Sequence, residues 1–448
     1  MAAGAVLAGL AATIPGTGLA LAVILLGLLL VASRPLPMHQ ALGIAAMQNG
    51  LVLAAVAADL PNWRLALLAA PLLPAAAFGA LWLGGDRART ALLMAPRLVA
   101  RIDAGLCGLA LLLACALPWL RDAHGPFWRL DARAALVILL LAALAAAASW
   151  TQRDTTQVWG SRLAILAGTV LAVLSTAPLL SWLGMVLATL SAAAGALPVR
   201  AEAWRRLRLG CTGLGLTLFG TVSLHAIPPP LFDTIALHAI PLPATACVML
   251  GYGTLAVLAP ELTVAAVALI LRMRGPATDI LLLALGLTAL LIAALSLATA
   301  RGSHHRTLRL VGLAQGGVAV FAFGLDTGGG SLAGLLQLSF LALTQCALLL
   351  APRGGLDRLA ALAGLAGLPP FGLFPSLALI VAATAARLPW LLLPLGTGLA
   401  AVGWAVLLQL PAERRLLLSP AWLPLVLLLI AGFAMPDPLL AWFRLAAR

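Results

Sequence analysis

The chain has 448 residues, of which 63% are apolar and 9% charged; a soluble domain is about half apolar and a quarter charged, so a soluble globule is excluded. Its net charge of +13 rests on 27 basic residues against 14 acidic ones, and every basic residue is arginine. In so apolar a chain this excess belongs to loops that follow the positive-inside bias beside anionic lipid, which sets nucleic-acid binding aside.

Apolar runs of bilayer-crossing length predict 14 or 15 helices, near 8–32, 40–59, 64–84, 103–120, 134–150, 163–179, 181–197, 209–227, 243–271, 278–299, 308–325, 331–351, 359–384, 389–410 and 419–435. Lipid offers backbone N–H and C=O groups no partner, and the runs are too long and uniform for barrel strands. The expectation is an all-α polytopic membrane protein in a bacterial cytoplasmic membrane. No basic leader precedes the first run and no small-residue cleavage site follows it, so it reads as a retained helix.

The connector 84–101 holds Asp86, Arg87, Arg89, Arg97 and Arg101. It marks a boundary between a three-helix module, 1–101, and a larger bundle, 102–448. A second basic connector, 198–210, places Arg200, Arg205, Arg206 and Arg208 beside the membrane, with Glu202 spaced to pair with Arg205 or Arg206 along a helix. Two spans carry breakers. Gly251 and Gly253, followed by Pro260, mark a discontinuity near 251–260, and Pro369-Pro370 within 367–372 mark another, because adjacent prolines leave carbonyls without intrahelical donors. Each is either a packing kink or a polar break of the kind that lines a cavity in transport proteins. The five cysteines and six histidines include no ligand cluster beyond the pair His304 and His305, so neither metal nor redox cofactor is expected.

The region from about 150 to 410 resembles the antiporter-like membrane subunits of respiratory complex I and the group 4 nickel–iron hydrogenases, formate hydrogenlyase among them, nearest the component F-like branch of hydrogenase-4. The likeness is carried by SWLGMVLATLSAA (181–193), AEAWRRLRLGCTGLGLTLFG (201–220), GYGTLAVLAP (251–260), HHRTLRLVGLAQGG (304–317), LLQLSFLALTQCALLL (335–350) and LAGLPPFGLF (365–374), in the family's order and at nearly its spacing. RPLPMHQALGIAAMQNGLVLAA (34–55) is similar to the second half of the small, component E-like subunit that accompanies it. The chain thus reads as a fusion of two shortened subunits.

That resemblance implies a glutamate, several lysines and histidines along a hydrated axis, since proton transfer needs titratable groups at membrane depth. At the matching positions stand neutral residues: Gln48, Val186, Leu255, Gln315, Gln337 and Gln345, with Leu341 beside them. A genome-wide drift from lysine to arginine would put arginine at the lysine positions, as Arg205 does, but not leucine or glutamine. The polar loop that follows the proline in the family is missing, and Pro260-Glu261 runs almost directly into TVAAVALILRMR. Glutamines can keep a polar seam between helices without titrating. Residual polar candidates are Glu202, Arg205, Glu261 and Asp326; most remaining acids, Asp103, Asp233 and Asp279 included, fall at predicted helix ends as caps or arginine partners.

The expected function is a non-catalytic membrane-arm subunit of a complex I-like or group 4 hydrogenase-like assembly, serving as scaffold or anchor with its ion-translocating residues largely lost. Its partners would be other membrane subunits, a peripheral redox arm and the bilayer. The alternative is active translocation of protons or monovalent cations through the residual polar groups, and an unrelated permease has only the broken helices in its favour.

Overall fold

The computed structural model describes residues 97–117, 123–125, 128–152, 161–195, 200–225, 241–256, 258–272, 278–299, 304–325, 327–351, 355–408, 419–433 and 435–447, with a few single positions before residue 51. Nearly all of the first module lies outside the described residues. Fifteen α-helices follow in order: α1 (Arg97–Ala114), α2 (Ala132–Gln152), α3 (Ser161–Leu174), α4 (Pro178–Ala194), α5 (Arg200–His225), α6 (Pro241–Leu255), α7 (Pro260–Arg272), α8 (Asp279–Thr299), α9 (His304–Gly324), α10 (Gly328–Leu350), α11 (Leu356–Leu365), α12 (Leu373–Arg387), α13 (Leu392–Leu407), α14 (Trp422–Phe433) and α15 (Asp437–Ala447). A two-residue antiparallel pair, β1 (Ala123–His124) and β2 (Arg129–Leu130), precedes α2. The chain is an all-α polytopic membrane protein; Ala132–Thr151, Asp279–Leu297, Gly328–Leu350 and Pro389–Leu407 are each long and apolar enough to cross a bilayer alone.

Side-chain bonds between helices fix their directions. Trp182 Nε1 donates to the Leu214 carbonyl at 2.9 Å and Arg206 Nη1 to that of Ala192 at 3.1 Å, so α4 and α5 are antiparallel. At the first end of the bundle Arg162, opening α3, pairs with Glu261, opening α7, at 3.1 Å. At the second end Arg272 closes α7 and donates to the Val173 and Ser175 carbonyls, satisfying groups that the end of α3 leaves open. α7 is therefore parallel to α3, whereas α6, antiparallel to α5, runs the other way. The stretch predicted as one span, 243–271, is two antiparallel helices that reverse at 256–259. Proline opens α7 at its first residue, where its missing N–H has no helical partner to lose.

Small residues set how closely the helices approach. A Cβ on Gly286 of α8 would lie 2.4 Å from the Phe321 backbone nitrogen and 2.5 Å from the Gly317 carbonyl oxygen of α9. The same backbone contact joins Gly168 to Gly184 (α3 and α4) and Gly213 to Gly251 (α5 and α6). Gly251 and Gly253, expected at a break, lie inside regular α6, where Gly251 serves this close approach.

The second predicted break is where the sequence puts it. α11 ends at Leu365, Gly367 takes a left-handed conformation (φ 73°), the Pro369–Pro370 peptide is cis, and α12 begins at Leu373. Gln315 of α9 lies beside Leu365, and Gln337 of α10 beside Ser376 of α12, so the end of α11 and the start of α12 meet the same pair of glutamines across the interruption. Gly432 of α14 packs its backbone against Pro370 at this interruption. Beyond α14 the chain turns by 86° into α15, whose Ala446 carbonyl accepts a bond from Arg133 Nε at 3.0 Å.

Gly286→Val should lower the thermal unfolding midpoint of the detergent-solubilised protein, at a cost of about 1–3 kcal/mol for overpacking. Gly396→Ala, where an added Cβ meets nothing within 4 Å, should leave it unchanged or raise it; thermal-shift chromatography of both variants makes the comparison.

Candidate functional site

Two sets of polar groups join different helices and bear on function. The first is a directed series of hydrogen bonds at the broken span. Ser376 Oγ donates to Gln337 Oε1 at 2.6 Å, Gln337 Nε2 to Gln315 Oε1 at 2.7 Å, and Gln315 Nε2 to the Leu365 carbonyl at 3.2 Å. Ser376 and Gln337 are 0% exposed and Gln315 2%.

The sequence explains this placement locally. Backbone N–H groups after α11 return to Leu362, Ala363 and Gly364, while the Leu365 carbonyl receives the Gln315 amide. In an apolar interior an open carbonyl costs about 1–3 kcal/mol, so Gln315 offsets a penalty the break creates. Ser376 sits in the first turn of α12, and its hydroxyl ties that half to α10. Two amides thus join both halves of the interrupted helix to α9 and α10.

Chemically the series is a poor proton conductor. A carboxamide neither gains nor loses a proton near neutral pH, and here each amide uses its oxygen as acceptor and its nitrogen as donor in fixed roles. Val186 and Leu255 are buried hydrophobics of the core, 6% and 0% exposed. Gln345 of α10 lies over Gly312 of α9, its Oε1 buried without a hydrogen-bond partner. Gln48 and Asp326 lie outside the described residues.

The second set is charged and gathers at the first end of the bundle. Glu202 accepts from Arg205 Nη2 at 2.8 Å, Arg206 Nε at 2.9 Å and Arg309 Nη1 at 2.7 Å. The helical pairing of Glu202 with both nearby arginines is present, and Arg309, from α9, joins them; no local spacing in the sequence announced it. Glu202 and Arg205 belong to this partly exposed network and not to the interior axis.

Deeper at the same end, Glu261 is 1% exposed, pairs through Oε1 with Arg162, and keeps Oε2 buried without a hydrogen-bond partner. Asp103 of α1 takes the backbone N–H groups of Arg162 and Leu163, as an acid at a helix start does, while its Oδ1 has no hydrogen-bond partner. The reversal before Pro260 delivers Glu261 here, and α3 delivers Arg162. Sequence reasoning missed Arg162, one arginine among many in connectors. It also missed Ser376, whose signal was available as a polar residue three positions inside the helix that follows a double-proline break. Among the described residues no group of three or more His, Cys, Asp or Glu could hold a metal ion.

Breaking the Arg162–Glu261 pair from one side leaves a buried charge, so Arg162→Leu should destabilise by about 3–5 kcal/mol. The double variant Arg162→Leu/Glu261→Leu should recover most of that loss in urea or thermal titrations of the purified protein. Gln337→Leu, which strips a donor from Gln315 and an acceptor from Ser376, should cost about 1–3 kcal/mol and should be additive with the charge-pair variants.

No family model matches the chain, and no curated protein sequence matches it. Solved structures do. A chain of the Mrp complex from Dietzia sp. DQ12-45-1b aligns at 16% identity and TM-score 0.64, covering 85% of this chain and 95% of that one. A chain of the membrane-bound sulfane sulfur reductase, an archaeal respiratory membrane complex, aligns at 16% identity and TM-score 0.64 over 85% and 96%. A chain of respiratory complex I from Thermus thermophilus aligns at 21% identity and TM-score 0.60 over 85% and 96%. At these identities the likeness is one of architecture, and the chain has the fold of the antiporter-like subunits found in complex I and its relatives.

Proposed function

We propose that this protein is a non-catalytic membrane-arm subunit of a complex I-like or group 4 hydrogenase-like assembly in a bacterial cytoplasmic membrane, and that it serves as scaffold with its ion path dismantled. The observation that carries this reading is the Ser376, Gln337, Gln315, Leu365 series: the interior polar axis beside the interrupted helix is built from groups that hold the break together and do not titrate. Val186 and Leu255 extend the neutral set at positions where the resemblance implies glutamate and lysine. Chains of similar architecture come from multisubunit membrane complexes, which supports other membrane subunits as partners. Electrons in such an assembly would travel through a peripheral redox arm. Residues 1–101 would be the small-subunit module that the fusion keeps in fixed proportion to the bundle.

Translocation of protons or monovalent cations is the second reading, and one observation favours it: Glu261 is a buried carboxylate with one unpartnered oxygen beside the reversal at 256–259.

Proteoliposomes holding the purified chain and an internal pH dye separate the two. The scaffold reading expects a proton leak equal to that of protein-free liposomes under an imposed potential. A flux above that baseline that disappears in Glu261→Gln would overturn it. Purification in mild detergent should recover other membrane subunits, and recovery of this chain alone from its native membrane counts against the assembly.

A further inference from the structure

The helix directions give the bundle two ends of unequal charge. Ten of the fifteen arginines in the described residues lie at the first end, on the opening turns of α1, α3, α5, α9 and α11. Arg205, Arg206 and Arg309 share the one carboxylate of Glu202 there, which leaves that cluster net positive. The other five arginines, Arg129, Arg133, Arg272, Arg387 and Arg444, lie at the second end. Of these, Arg272 bonds the Val173 and Ser175 carbonyls and Arg133 that of Ala446, while Arg129 lies 3.5 Å from Asp131 in an exposed pair.

Counted from the sequence, arginine-bearing connectors follow odd- and even-numbered spans alike and point to neither orientation. The reversal at 256–259 removes that conflict. One span becomes two, every later connector changes side, and the arginines opening α9 and α11 join those opening α3 and α5.

We propose that the first end is the cytoplasmic face and forms a docking surface for the anionic headgroups of the inner leaflet. Arginine within a turn or two of the bilayer edge is retained on the cytoplasmic side during insertion and is attracted to the negative potential of that leaflet. The partner is a phosphate-bearing lipid surface, and the proposal holds whether or not ions cross the bundle.

Two experiments test it. In a background with Cys107, Cys115, Cys211, Cys247 and Cys346 changed to serine, Arg387→Cys should react with a membrane-impermeant maleimide on intact spheroplasts, and Arg208→Cys only after permeabilisation. The opposite pattern would overturn the orientation. With all native cysteines kept, native mass spectrometry of protein extracted from phosphatidylglycerol-containing vesicles should find bound phosphatidylglycerol. Arg205→Gln/Arg208→Gln should reduce that binding roughly thirtyfold, the electrostatic share of two surface arginines, and Arg387→Gln/Arg444→Gln should leave it unchanged. Equal losses from both pairs, or none from either, would defeat the headgroup surface even where the labelling supports the orientation.

Discussion

A helix that stops inside hydrocarbon leaves carbonyl groups that water cannot reach, and the architecture around the interrupted span follows from that constraint. α11 ends with the Leu365 carbonyl open, and α12 restarts beyond Gly367 and the paired prolines. The open carbonyl is met by Gln315, the freed oxygen of Gln315 by Gln337, and that of Gln337 by Ser376 on the restarted half. Interhelical polar bonds of this kind are each worth about 0.6 kcal/mol, up to about 1.7, so their sum is modest. Their larger effect is positional, because helices from different parts of the chain are held at one depth by groups whose alternative is to be unsatisfied.

Elsewhere cohesion comes from close backbone approach and from charges kept at the ends. Glycine pairs bring α3 to α4, α5 to α6 and α8 to α9 at distances no side chain would permit. In lipid, where apolar burial between helices gains little over contact with acyl chains, that dispersion contact is the main attraction. The charged groups divide by depth. Glu202 shares three arginines at a partly exposed edge, where breaking any one pair costs little; Glu261 is buried, where its charge is tolerable because half-buried Arg162 pairs with it.

Much of this was legible in the amino-acid order. Apolar runs of bilayer-crossing length give helices, and the double proline gives the interrupted span. The reversal between α6 and α7 was not legible. A continuous apolar run through 243–271 fits one long helix as well as two short ones; the break falls within the expected 251–260, but nothing in one dimension said that the chain turns back there, and glycine at a close helix approach looks like glycine at a break. The true turn, at 256–259, has no glycine and only Pro260 after it. Likewise Arg309 meets Glu202, and Arg162 meets Glu261, across 107 and 99 residues of chain, a distance over which no periodicity carries information. Ser376 could have been found, as the polar group next to a break that must be satisfied.

The amide series also bears on how this interior could change over generations. Every glutamine codon lies a single nucleotide from codons for histidine, glutamate and lysine, and the valine codons ending in purine lie one step from glutamate. Gln315, Gln337, Gln345 and, with such a codon, Val186 are therefore one mutation from a titratable side chain. Leu255 is different, since lysine is at least two nucleotide changes from any leucine codon. Of these positions it is the slowest to gain the titratable side chain that the resemblance implies.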